Sequence, residues 1–469
     1  MIFSTASVVF IFKTAQRTPT KVGTLNTCCG SSCHPELVAI QFVLLAANEY
    51  FFKCLTAFFP ESEIFVSPKG LMRIRILTVI TVVVVLADVL SVRSTSPTNT
   101  IVARFEQHTI ATDLAGGYQV VVADLNRDGK PDLIAVASGM KELIWFENPS
   151  WQRHVIVSNI TSPINCAAWD VDGDGIPEIA LAHGFSNDPD RSIGNVSILS
   201  TKGDPTKPWN MTEIDRLPTS HRLRWADIDG SGKKVLVNAP LVGLQGKAPD
   251  YKDKTPLVFY RPGAWKRENI SQELEGVVHG LLIAHWDADH RDDILTASFL
   301  GVDKFTFSRN NTWGRSTIVK GNTDPWPRSG SSEIAIGRLK RDRFLSTIEP
   351  WHGNQVVVYS ANGSGWQRQV IDSSLNDGHV LLTADLDRDG RDEIIAGYRG
   401  QGRSVYIYSA EDSKGTRWRR QVLDDGGMGA AGCAIADLNG DGRLDIACIG
   451  TATTNLKWYE NLGSPSPPK

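Results

Sequence analysis

The sequence predicts an all-β fold: a seven-bladed β-propeller in which every blade has four short strands. Three observations support this prediction. A loop motif rich in aspartate recurs seven times at a spacing of about 52 residues. The same short apolar or alternating segments surround each copy. The one segment that is missing after the last copy is present before the first.

The composition is that of an ordinary globular protein. Of the 469 residues, 41% are hydrophobic and 22% are charged, and the formal net charge is −3. These values provide enough apolar residues for a large core. Because the charge is close to balanced and no long basic run occurs, the sequence excludes a general nucleic-acid-binding protein.

The chain before the repeats differs from the rest. Residues 1–71 contain four of the seven cysteines and share no pattern with later segments, so we interpret them as a mis-set start or a leader outside the fold. From Met72, a basic stretch followed by the apolar run 76–87 predicts a signal peptide or membrane anchor over 72–95. We therefore expect a secreted, periplasmic or extracellular protein, in contact with a membrane only if 76–87 is an uncleaved anchor.

Four copies of the loop motif carry a complete set of oxygen ligands for a hard cation. Three oxygen-bearing side chains stand at alternate positions, a glycine permits the sharp turn, and a carboxylate follows. Oxygen ligands in this number favour calcium over zinc. The predicted calcium ligands are Asp124, Asn126, Asp128 and Asp132; Asp170, Asp172, Asp174 and Glu178; Asp385, Asp387, Asp389 and Glu393; and Asp437, Asn439, Asp441 and Asp445.

The other three copies are incomplete. The copy at 227–235 has Ser231 as its third ligand, and the copies at 285–293 and 338–344 have lost the pattern. A propeller that needs calcium only to brace its loops can dispense with it in some blades. We therefore expect up to four or five structural calcium ions, with calcium sensing as the alternative.

Each loop joins an inner strand to a second strand, and a third strand and an outer strand follow. The inner and second strands are apolar runs such as VVVA and LIAVAS, the third alternates as in LIWFEN, and the outer strand begins with tryptophan in six repeats. The segment that begins at Phe105 supplies the outer strand of the last blade and closes the ring, which removes an open sheet edge. The propeller is predicted over 101–462, followed by a flexible tail over 463–469.

The three cysteines of the repeats are few and lie in apolar surroundings. Cys433 and Cys448 occur in strand-like runs, and Cys166 precedes the second loop motif. We expect all three to be small buried residues, not a disulfide framework.

Three histidines share one register of the inner strands. The residue six positions before the first position of the loop motif is His221, His279 or His379 in three repeats and Tyr118 in another. These residues begin the inner strands on the face opposite the aspartate loops, at the mouth of the central channel, where propellers often bind ligands. Convergent imidazoles predict a transition metal such as zinc or manganese, or acid–base catalysis near neutral pH.

Further polar residues are predicted on the same face. Arg222 and Glu333 follow the histidine register by one position. The loops after the second strands add Glu349, Trp351, His352 and Arg399. Among these, Trp351 could stack on a sugar ring, and Arg399 and Glu333 are expected to bind substrate.

The segments that carry these histidines resemble one family. LPTSHRLRWADIDG, GVVHGLLIAH, IEPWHGNQVVVY and NDGHVLLTADLDRDGRDEIIAGYRG look like the propeller domain of the fungal aldos-2-ulose dehydratase/isomerase, also called 1,5-anhydro-D-fructose dehydratase. The repeats as a whole resemble the FG-GAP or VCBS class. The match at His352 continues through Asn354, which the resemblance adds as a substrate-binding candidate. The resemblance implies elimination of water from a keto-sugar and a metal site in the propeller. That family continues into cupin and lectin-like domains, so isomerisation assigned to the cupins is expected to be absent.

These observations lead to the hypothesis of a secreted hydro-lyase that performs metal-assisted β-elimination on a keto-sugar or anhydro-sugar. His221, His279 and His379 would hold the metal, which would offset negative charge on the carbonyl oxygen. His352, or Glu349 as a second choice, would remove the proton from carbon.

Tyr118 or Arg222 would stabilise or protonate the leaving oxygen. The expected partner is a small sugar or an oligosaccharide, and no nucleic acid. Two alternatives remain open. The first is a non-catalytic, calcium-stabilised propeller that binds a glycan or a protein, and the second is a polysaccharide lyase that acts on uronic acids.

Overall fold

Seven antiparallel four-stranded sheets form the ring, and a short two-stranded hairpin lies between the fourth and fifth blades. The computed structural model describes residues 103–464, apart from 288 and 364. Within this part of the chain there are thirty strands, β1 to β30, and one short 3-10 helix at Pro189–Arg191. The predicted all-β, seven-bladed fold is thus confirmed.

The strands of each blade follow one another from the inside of the ring to the outside. Blade 1 comprises β2 (Gly117–Ala123), β3 (Asp132–Ala137), β4 (Glu142–Glu147) and β5 (Gln152–Ser158). Blade 2 comprises β6 (Asn165–Trp169), β7 (Glu178–His183), β8 (Asn195–Ser200) and β9 (Asn210–Arg216). Blade 3 comprises β10 (Ser220–Ala226), β11 (Val235–Pro240), β12 (Lys254–Tyr260) and β13 (Arg267–Glu275). Blade 4 comprises β14 (Val278–Ala284), β15 (Asp293–Ser298), β16 (Gly301–Phe307) and β17 (Trp313–Val319), and the hairpin is β18 (Asn322–Thr323) with β19 (Ser329–Gly330).

The remaining blades continue in the same way. Blades 5 and 6 comprise β20 (Glu333–Leu339), β21 (Asp342–Glu349), β22 (Gln355–Asn362) and β23 (Gly365–Asp372); and β24 (Gly378–Ala384), β25 (Glu393–Tyr398), β26 (Val405–Ala410) and β27 (Trp418–Asp424). Blade 7 combines β28 (Ala430–Ala436), β29 (Asp445–Gly450) and β30 (Leu456–Asn461) with β1 (Phe105–Ala111). Strand β1 pairs with β30 from Phe105 opposite Asn461 onwards, so the N-terminal strand closes the ring as predicted.

The apolar core lies between neighbouring blades. Every side chain of the second strands β3, β15, β25 and β29 is buried, whereas the outer strands β9 and β23 expose much of their length. One buried cluster joins Ile134 and Trp145 of blade 1 to Ile179 and Leu199 of blade 2. Burial of such clusters between sheets holds the ring together and fixes the inner strands around the channel.

A repeated polar contact also ties blades together. A carboxylate near the end of an outer strand accepts a hydrogen bond from a tyrosine hydroxyl on the third strand of the next blade. The O···O distances are 2.6 Å for Asp215 and Tyr260, 2.8 Å for Asp372 and Tyr408, and 2.7 Å for Asp424 and Tyr459. We call these three pairs the blade clasps; the sequence analysis did not anticipate them.

The expectation for the cysteines of blade 7 was wrong. Cys433 on β28 and Cys448 on β29 form a disulfide bond, and only Cys166 is a free buried thiol among the described residues. The reason lies in the strand register, since the two cysteines are directly opposite each other in the antiparallel pair and their Cα atoms are 4.1 Å apart.

Several predictions concern residues outside the described part of the chain. They are the leader over 1–71, the signal peptide or anchor over 72–95, the first two residues of the predicted propeller and the tail from 465 onwards. In the described ranges, no helix has the length and apolar character needed to cross a bilayer.

Candidate functional site

A β-bulge at the start of the inner strand aims the histidine register into the central channel. The register between β2 and β3 shifts around Tyr118, and the equivalent pairs shift around His221, His279 and His379. An extra residue at this point re-aims its side chain away from the regular alternation of the strand. All four side chains are therefore buried together at the axis of the ring.

Glu333 fixes the orientation of the His279 ring. The Nδ1 atom of His279 lies 2.8 Å from Oε1 of Glu333, and the Nη2 atom of Arg222 donates to the same oxygen at 2.8 Å. Burial raises the pKa of Glu333, but the charges of Arg222 and His279 outweigh it, so the pKa lies below its ordinary value. An ionised carboxylate here accepts a hydrogen bond from the Nδ1–H group of His279. The Nε2 lone pair of His279 is then free to bind a metal or a proton.

The backbone fixes the orientation of His379. Its Nδ1 atom lies 2.6 Å from the carbonyl oxygen of Ala431, which can only accept a hydrogen bond. The proton is therefore on Nδ1, and the Nε2 atom carries a lone pair. This Nε2 atom is buried and has no hydrogen-bond partner among the described residues.

His352 reaches the same place from a different element, the loop between β21 and β22. Its Nε2 atom lies 3.2 Å from Nε2 of His279. Its Nδ1 atom is 3.3 Å from Asp377 Oδ1 and 3.2 Å from Arg399 Nη2. Because a guanidinium can only donate, Nδ1 either accepts from Arg399 or donates an N–H to the Asp377 carboxylate, and in the second tautomer the Nε2 lone pair of His352 is free as well.

Three imidazoles thus form a group that could hold a metal ion. One ring nitrogen each of His279, His352 and His379 lies within 4.8 Å of the others. Two of them have the second ring nitrogen held by a carboxylate or carbonyl oxygen, as is usual for metal-binding histidines. The residues fit a transition metal such as zinc. This group differs from the set expected from the sequence, because His352 takes the place of His221.

His221 is paired with Tyr118 instead. The Nε2 atom of His221 lies 2.7 Å from the Tyr118 hydroxyl, and its Nδ1 atom has no partner among the described residues. Burial raises the pKa of Tyr118. The phenol therefore stays protonated at neutral pH and can act as a proton donor.

The imidazoles of this site are neutral near pH 7. Burial, and next the charges of neighbours such as Arg222, His279 and Arg399, hold the pKa values of His221, His352 and His379 well below the ordinary 6.5. Burial also lowers the pKa of His279, although Glu333 opposes this. Neutral rings can offer lone pairs to a metal or to a proton.

A cavity of about 380 Å³ lies against three of these rings, those of His221, His279 and His352. Tyr118, His221, His279, His352, Trp351 and Arg399 line it together with small polar residues of the neighbouring loops, which are Ser138, Ser162, Ser186, Asn187 and Thr451. Its size suits a small sugar.

The predicted substrate-binding residues divide between this cavity and other places. Trp351 lines the cavity and packs edge-on against Tyr251, with ring centroids 5.2 Å apart. Glu333 lies behind His279 and does not line this cavity. The amide of Asn354 donates to the carbonyl of Ser373 at 3.0 Å and is also outside the lining.

The structure does not bring Glu349 to the histidines. Its side chain is fully buried in blade 5, where Arg368 donates to Oε2 through both Nε and Nη2 at 3.0 and 2.7 Å. The hydroxyls of Tyr359 and Thr347 donate to the other oxygen at 2.6 Å each. The second-choice base is thus a structural carboxylate of the blade, because all its lone pairs are directed at fixed donors.

The four complete aspartate loops share one turn but differ at the last position. Where that residue is aspartate, as in Asp132, both carboxylate oxygens accept backbone N–H groups at 2.9 Å. Where it is glutamate, one oxygen does so, and an oxygen of Glu178 or Glu393 lies within 4.8 Å of both of the first two aspartates of its loop. Burial and the neighbouring Asp387 raise the pKa of Glu393 to about 8, as expected for crowded carboxylates. Calcium binding by these loops stays a prediction.

A lysine contacts the carboxylates of one degenerate loop. In blade 4, the ammonium group of Lys304 contacts Asp287 and lies 3.9 Å from Asp293 Oδ1. In this blade, the third strand β16 thus supplies a positive charge to the carboxylates of the loop.

Two residues of the site were missed by the sequence analysis. Asp377 binds both Arg399 and His352, and Phe185 packs on His221 with ring centroids 5.4 Å apart. Asp377 directly precedes Gly378 and His379, so a turn next to the histidine register was a usable signal. Phe185 follows β7 in a loop that carries no such signal.

Comparisons with known proteins agree with this architecture. A family model described as the β-propeller domain of aldos-2-ulose dehydratase matches residues 193–362, and one described as an FG-GAP-like repeat matches 124–181 and 385–448. Aldos-2-ulose dehydratase of Phanerodontia chrysosporium is 25% identical in an alignment of 342 residues that covers 65% of this chain and 37% of the relative. Rhamnogalacturonan endolyase YesW of Bacillus subtilis strain 168 is 24% identical over 258 residues, 49% of this chain and 36% of the relative.

The chain therefore spans little more than a third of the length of these two relatives. Among solved structures, an Agrocybe aegerita lectin that recognises non-reducing terminal N-acetylglucosamine has a TM-score of 0.43 and 14% identity, covering 66% of this chain and 81% of the lectin chain. A structure of BBS1N in complex with ARL6DN has a TM-score of 0.47 and 11% identity, and the superposition covers 77% of this chain and 98% of the matched chain. The chain is a seven-bladed β-propeller with FG-GAP-like repeats that resembles the β-propeller domain of aldos-2-ulose dehydratase.

Proposed function

We propose that the cavity beside the four histidines binds a small keto-sugar or anhydro-sugar and eliminates water from it. One observation carries the proposal: neutral imidazoles from separate blades converge at the channel axis, and those of His221, His279 and His352 line a cavity of about 380 Å³. The relationship to aldos-2-ulose dehydratase supports a carbohydrate-related function at the level of the family. The assignment to a hydro-lyase is our inference from the site.

In this proposal, His279, His352 and His379 hold a divalent transition metal. When bound, such an ion would polarise the sugar carbonyl and make the neighbouring C–H more acidic. Glu333 and the carbonyl of Ala431 keep Nδ1 of His279 and His379 protonated, so that both rings present Nε2 to the site. The base expected from the sequence, His352, belongs to this set instead.

The Tyr118–His221 pair moves the protons. With its own proton on Nε2, neutral His221 has a free lone pair on Nδ1 that accepts the proton from carbon. Tyr118 donates its hydroxyl proton to the leaving hydroxyl group, which departs as water while the C=C bond forms. The 2.7 Å hydrogen bond then returns a proton from His221 Nε2 to the Tyr118 oxygen.

Arg399 and Trp351 orient the sugar. Asp377 holds the Arg399 guanidinium at 2.9 Å, so the guanidinium approaches the cavity in a fixed orientation. Trp351 is anchored by its aromatic neighbours and presents a ring to the cavity, where it can contact the apolar face of a sugar. Because Asp377 already pairs with the Arg399 guanidinium, neither Arg399 nor Trp351 requires the substrate to carry a negative charge.

The test is a substrate screen with matched variants. Metal-loaded protein is incubated with 1,5-anhydro-fructose, 3-keto-sugars and uronate oligomers, and products are followed by mass spectrometry and NMR. We expect a product that has lost one water, and Tyr118→Phe should lower kcat by about 10²- to 10⁴-fold. His285→Ala, at an exposed histidine, is the control and should retain full activity. Conversion of none of the sugars by the metal-loaded wild type would remove the proposal.

A polysaccharide lyase that acts on uronic acids is the second candidate. The similarity to a rhamnogalacturonan endolyase favours it, and such lyases also break a C–O bond by β-elimination. It predicts release of unsaturated uronates from the oligomers in the same screen, which ultraviolet absorbance detects. Products from uronate oligomers without products from keto-sugars would select this candidate.

A further inference from the structure

The central channel contains a second cavity, on the side of the histidine register that faces the aspartate loops. Its volume is about 250 Å³. It is lined by Tyr118 and His379 of the histidine register and by the residues that follow the register along the inner strands. Its walls combine apolar residues such as Val120 and Leu281 with polar and charged residues such as Arg224. In the proposed reaction the sugar occupies the other cavity.

Arg224 projects into this cavity as a cation without a carboxylate partner. Its Nη1 atom donates to Asn165 Oδ1 at 3.2 Å and to the carbonyl of Leu223 at 2.8 Å. Glu333, the carboxylate of this cavity, is instead shared by Arg222 and His279. Within residues 103–464, leaving out 288 and 364, no ion pair forms at Arg224. The rest of its five N–H groups are therefore available to a ligand.

Asn165 supplies a second unsatisfied donor at the same place. Its side chain is fully buried, and its Oδ1 accepts from the backbone of Leu223 at 2.9 Å as well as from Arg224. Its Nδ2 atom is buried and has no partner in the described part of the chain. Because an unsatisfied buried amide donor is costly, an acceptor is expected beside it.

The charges of the lining point to the kind of ligand. The ionised groups are the guanidinium groups of Arg222 and Arg224 and the carboxylate of Glu333, two positive charges and one negative, which leave a net charge of +1. A net positive charge in a narrow channel attracts a counter-ion. A ligand with one negative charge that accepts hydrogen bonds from the Arg224 guanidinium and the Asn165 amide would satisfy both donors and neutralise the net charge.

We propose that this cavity binds one small monovalent inorganic anion, such as chloride, between Arg224 and the Nδ2 atom of Asn165. The anion joins the inner strands of blades 2 and 3 at the channel axis. It also lies next to the polar network in which Arg222 binds Glu333 and the carbonyl of His279. The proposal is separate from the sugar chemistry, because Arg224 and Asn165, which would hold the anion, take no part in the proposed reaction.

Bromide provides a direct test, since it replaces chloride and scatters anomalously. Crystals of the whole chain grown in sodium bromide should show one anomalous peak in the channel, within hydrogen-bonding distance of Arg224 and Asn165. A channel without bromide, in crystals that hold bromide elsewhere, would overturn the proposal. A peak at this position that persists in Arg224→Met would overturn it equally.

Thermal unfolding gives a second measurement in solution. At constant ionic strength, replacement of bulky isethionate by chloride should raise Tm of the wild type saturably by about 2 to 4 °C. Arg224→Met should abolish this response, and Arg309→Met, the same substitution at an exposed arginine, should keep it. If Arg224→Met does not fold, Arg224→Lys replaces it and should weaken the response. A response that is absent in the wild type, or equal in all variants, contradicts the proposal.

Discussion

The Nε2 atoms of His279 and His352 lie 3.2 Å apart, although one residue belongs to an inner strand and the other to a loop of the next blade. Two imidazoles that bind one zinc ion at about 2.0 to 2.1 Å in tetrahedral geometry have their nitrogen atoms about 3.3 Å apart. The pair thus already has the separation that shared ligation requires. With His379 it defines the metal group on which the proposed function rests.

Removal of one imidazole should abolish binding of the transition metal. His379→Ala removes the buried Nε2 atom, which has no hydrogen-bond partner among the described residues. It leaves the aspartate loops unchanged. We expect loss of zinc or manganese binding in isothermal titration, with an unchanged far-ultraviolet circular dichroism spectrum. His285→Ala is the matched control and should bind like the wild type. Equal metal affinity in His379→Ala would contradict the assignment of this ligand.

Glu333 is predicted to act as a positioning residue. Glu333→Gln keeps the shape of the side chain but removes the negative charge of the group that accepts the hydrogen bond from His279 Nδ1–H. Loss of such a contact typically weakens metal affinity by about 10- to 100-fold. The readout is metal affinity together with the metal dependence of kcat. Excess metal should restore much of the activity of Glu333→Gln and none of that of Tyr118→Phe, because only the first variant acts through the metal group.

The aspartate loops should make the stability of the propeller dependent on calcium. Chelation leaves crowded carboxylates such as Asp385, Asp387 and Glu393 without a counter-charge. We expect a lower Tm after treatment with a calcium-selective chelator and recovery when calcium, but not magnesium, is added. Asp385→Ala should lower the calcium stoichiometry by one. A Tm that is indifferent to calcium would show that hydrogen bonds alone hold these loops.

The blade clasps predict a defined loss of stability. Tyr408→Phe removes the hydroxyl that donates to Asp372 across two blades, and Arg420 still contacts the same carboxylate. We expect the free energy of unfolding to fall by about 1 kcal/mol, as for a typical hydrogen bond. Urea unfolding measures this change. No change in the unfolding midpoint would mean that the clasp contributes nothing to stability.

The clasps also predict the direction of a pH effect. Burial raises the pKa of Asp372, but hydrogen bonds from Ser374, Tyr408 and Arg420 outweigh it, so the pKa lies below the ordinary 3.8. The native state then holds fewer protons than the unfolded state, and this stabilisation is present above pH 4 and lost as the pH falls further. The difference in stability between the wild type and Asp372→Asn should therefore shrink below about pH 4. A difference that grows on acidification would contradict the assignment.

Much of the fold followed from the sequence because the repeat fixes both the strand order and the spacing. The seven loops placed the inner strands, and the segment at Phe105 predicted how the ring closes. The disulfide was missed because the apolar surroundings of Cys433 and Cys448 were weighed above their register. The clasps could not be foreseen, because they join residues of different blades whose relative position depends on packing.

The site was predictable to the extent that it follows the inner-strand register. Tyr118, His221, His279 and His379 share that register, and bulges direct all four to the axis. Which three imidazoles form the metal group depends on where the loop carries His352, and a repeat pattern contains no information on loop conformation. Glu349 illustrates the same point, since only the structure shows that Arg368 and Tyr359 occupy its carboxylate.

The most direct test of the central claim is anomalous diffraction at the zinc or manganese edge from crystals of the metal-loaded protein. The account predicts one strong peak bonded to Nε2 of His279, His352 and His379, in addition to calcium at the aspartate loops. A peak bonded to other residues, or no peak near these rings in protein saturated with metal, would contradict it.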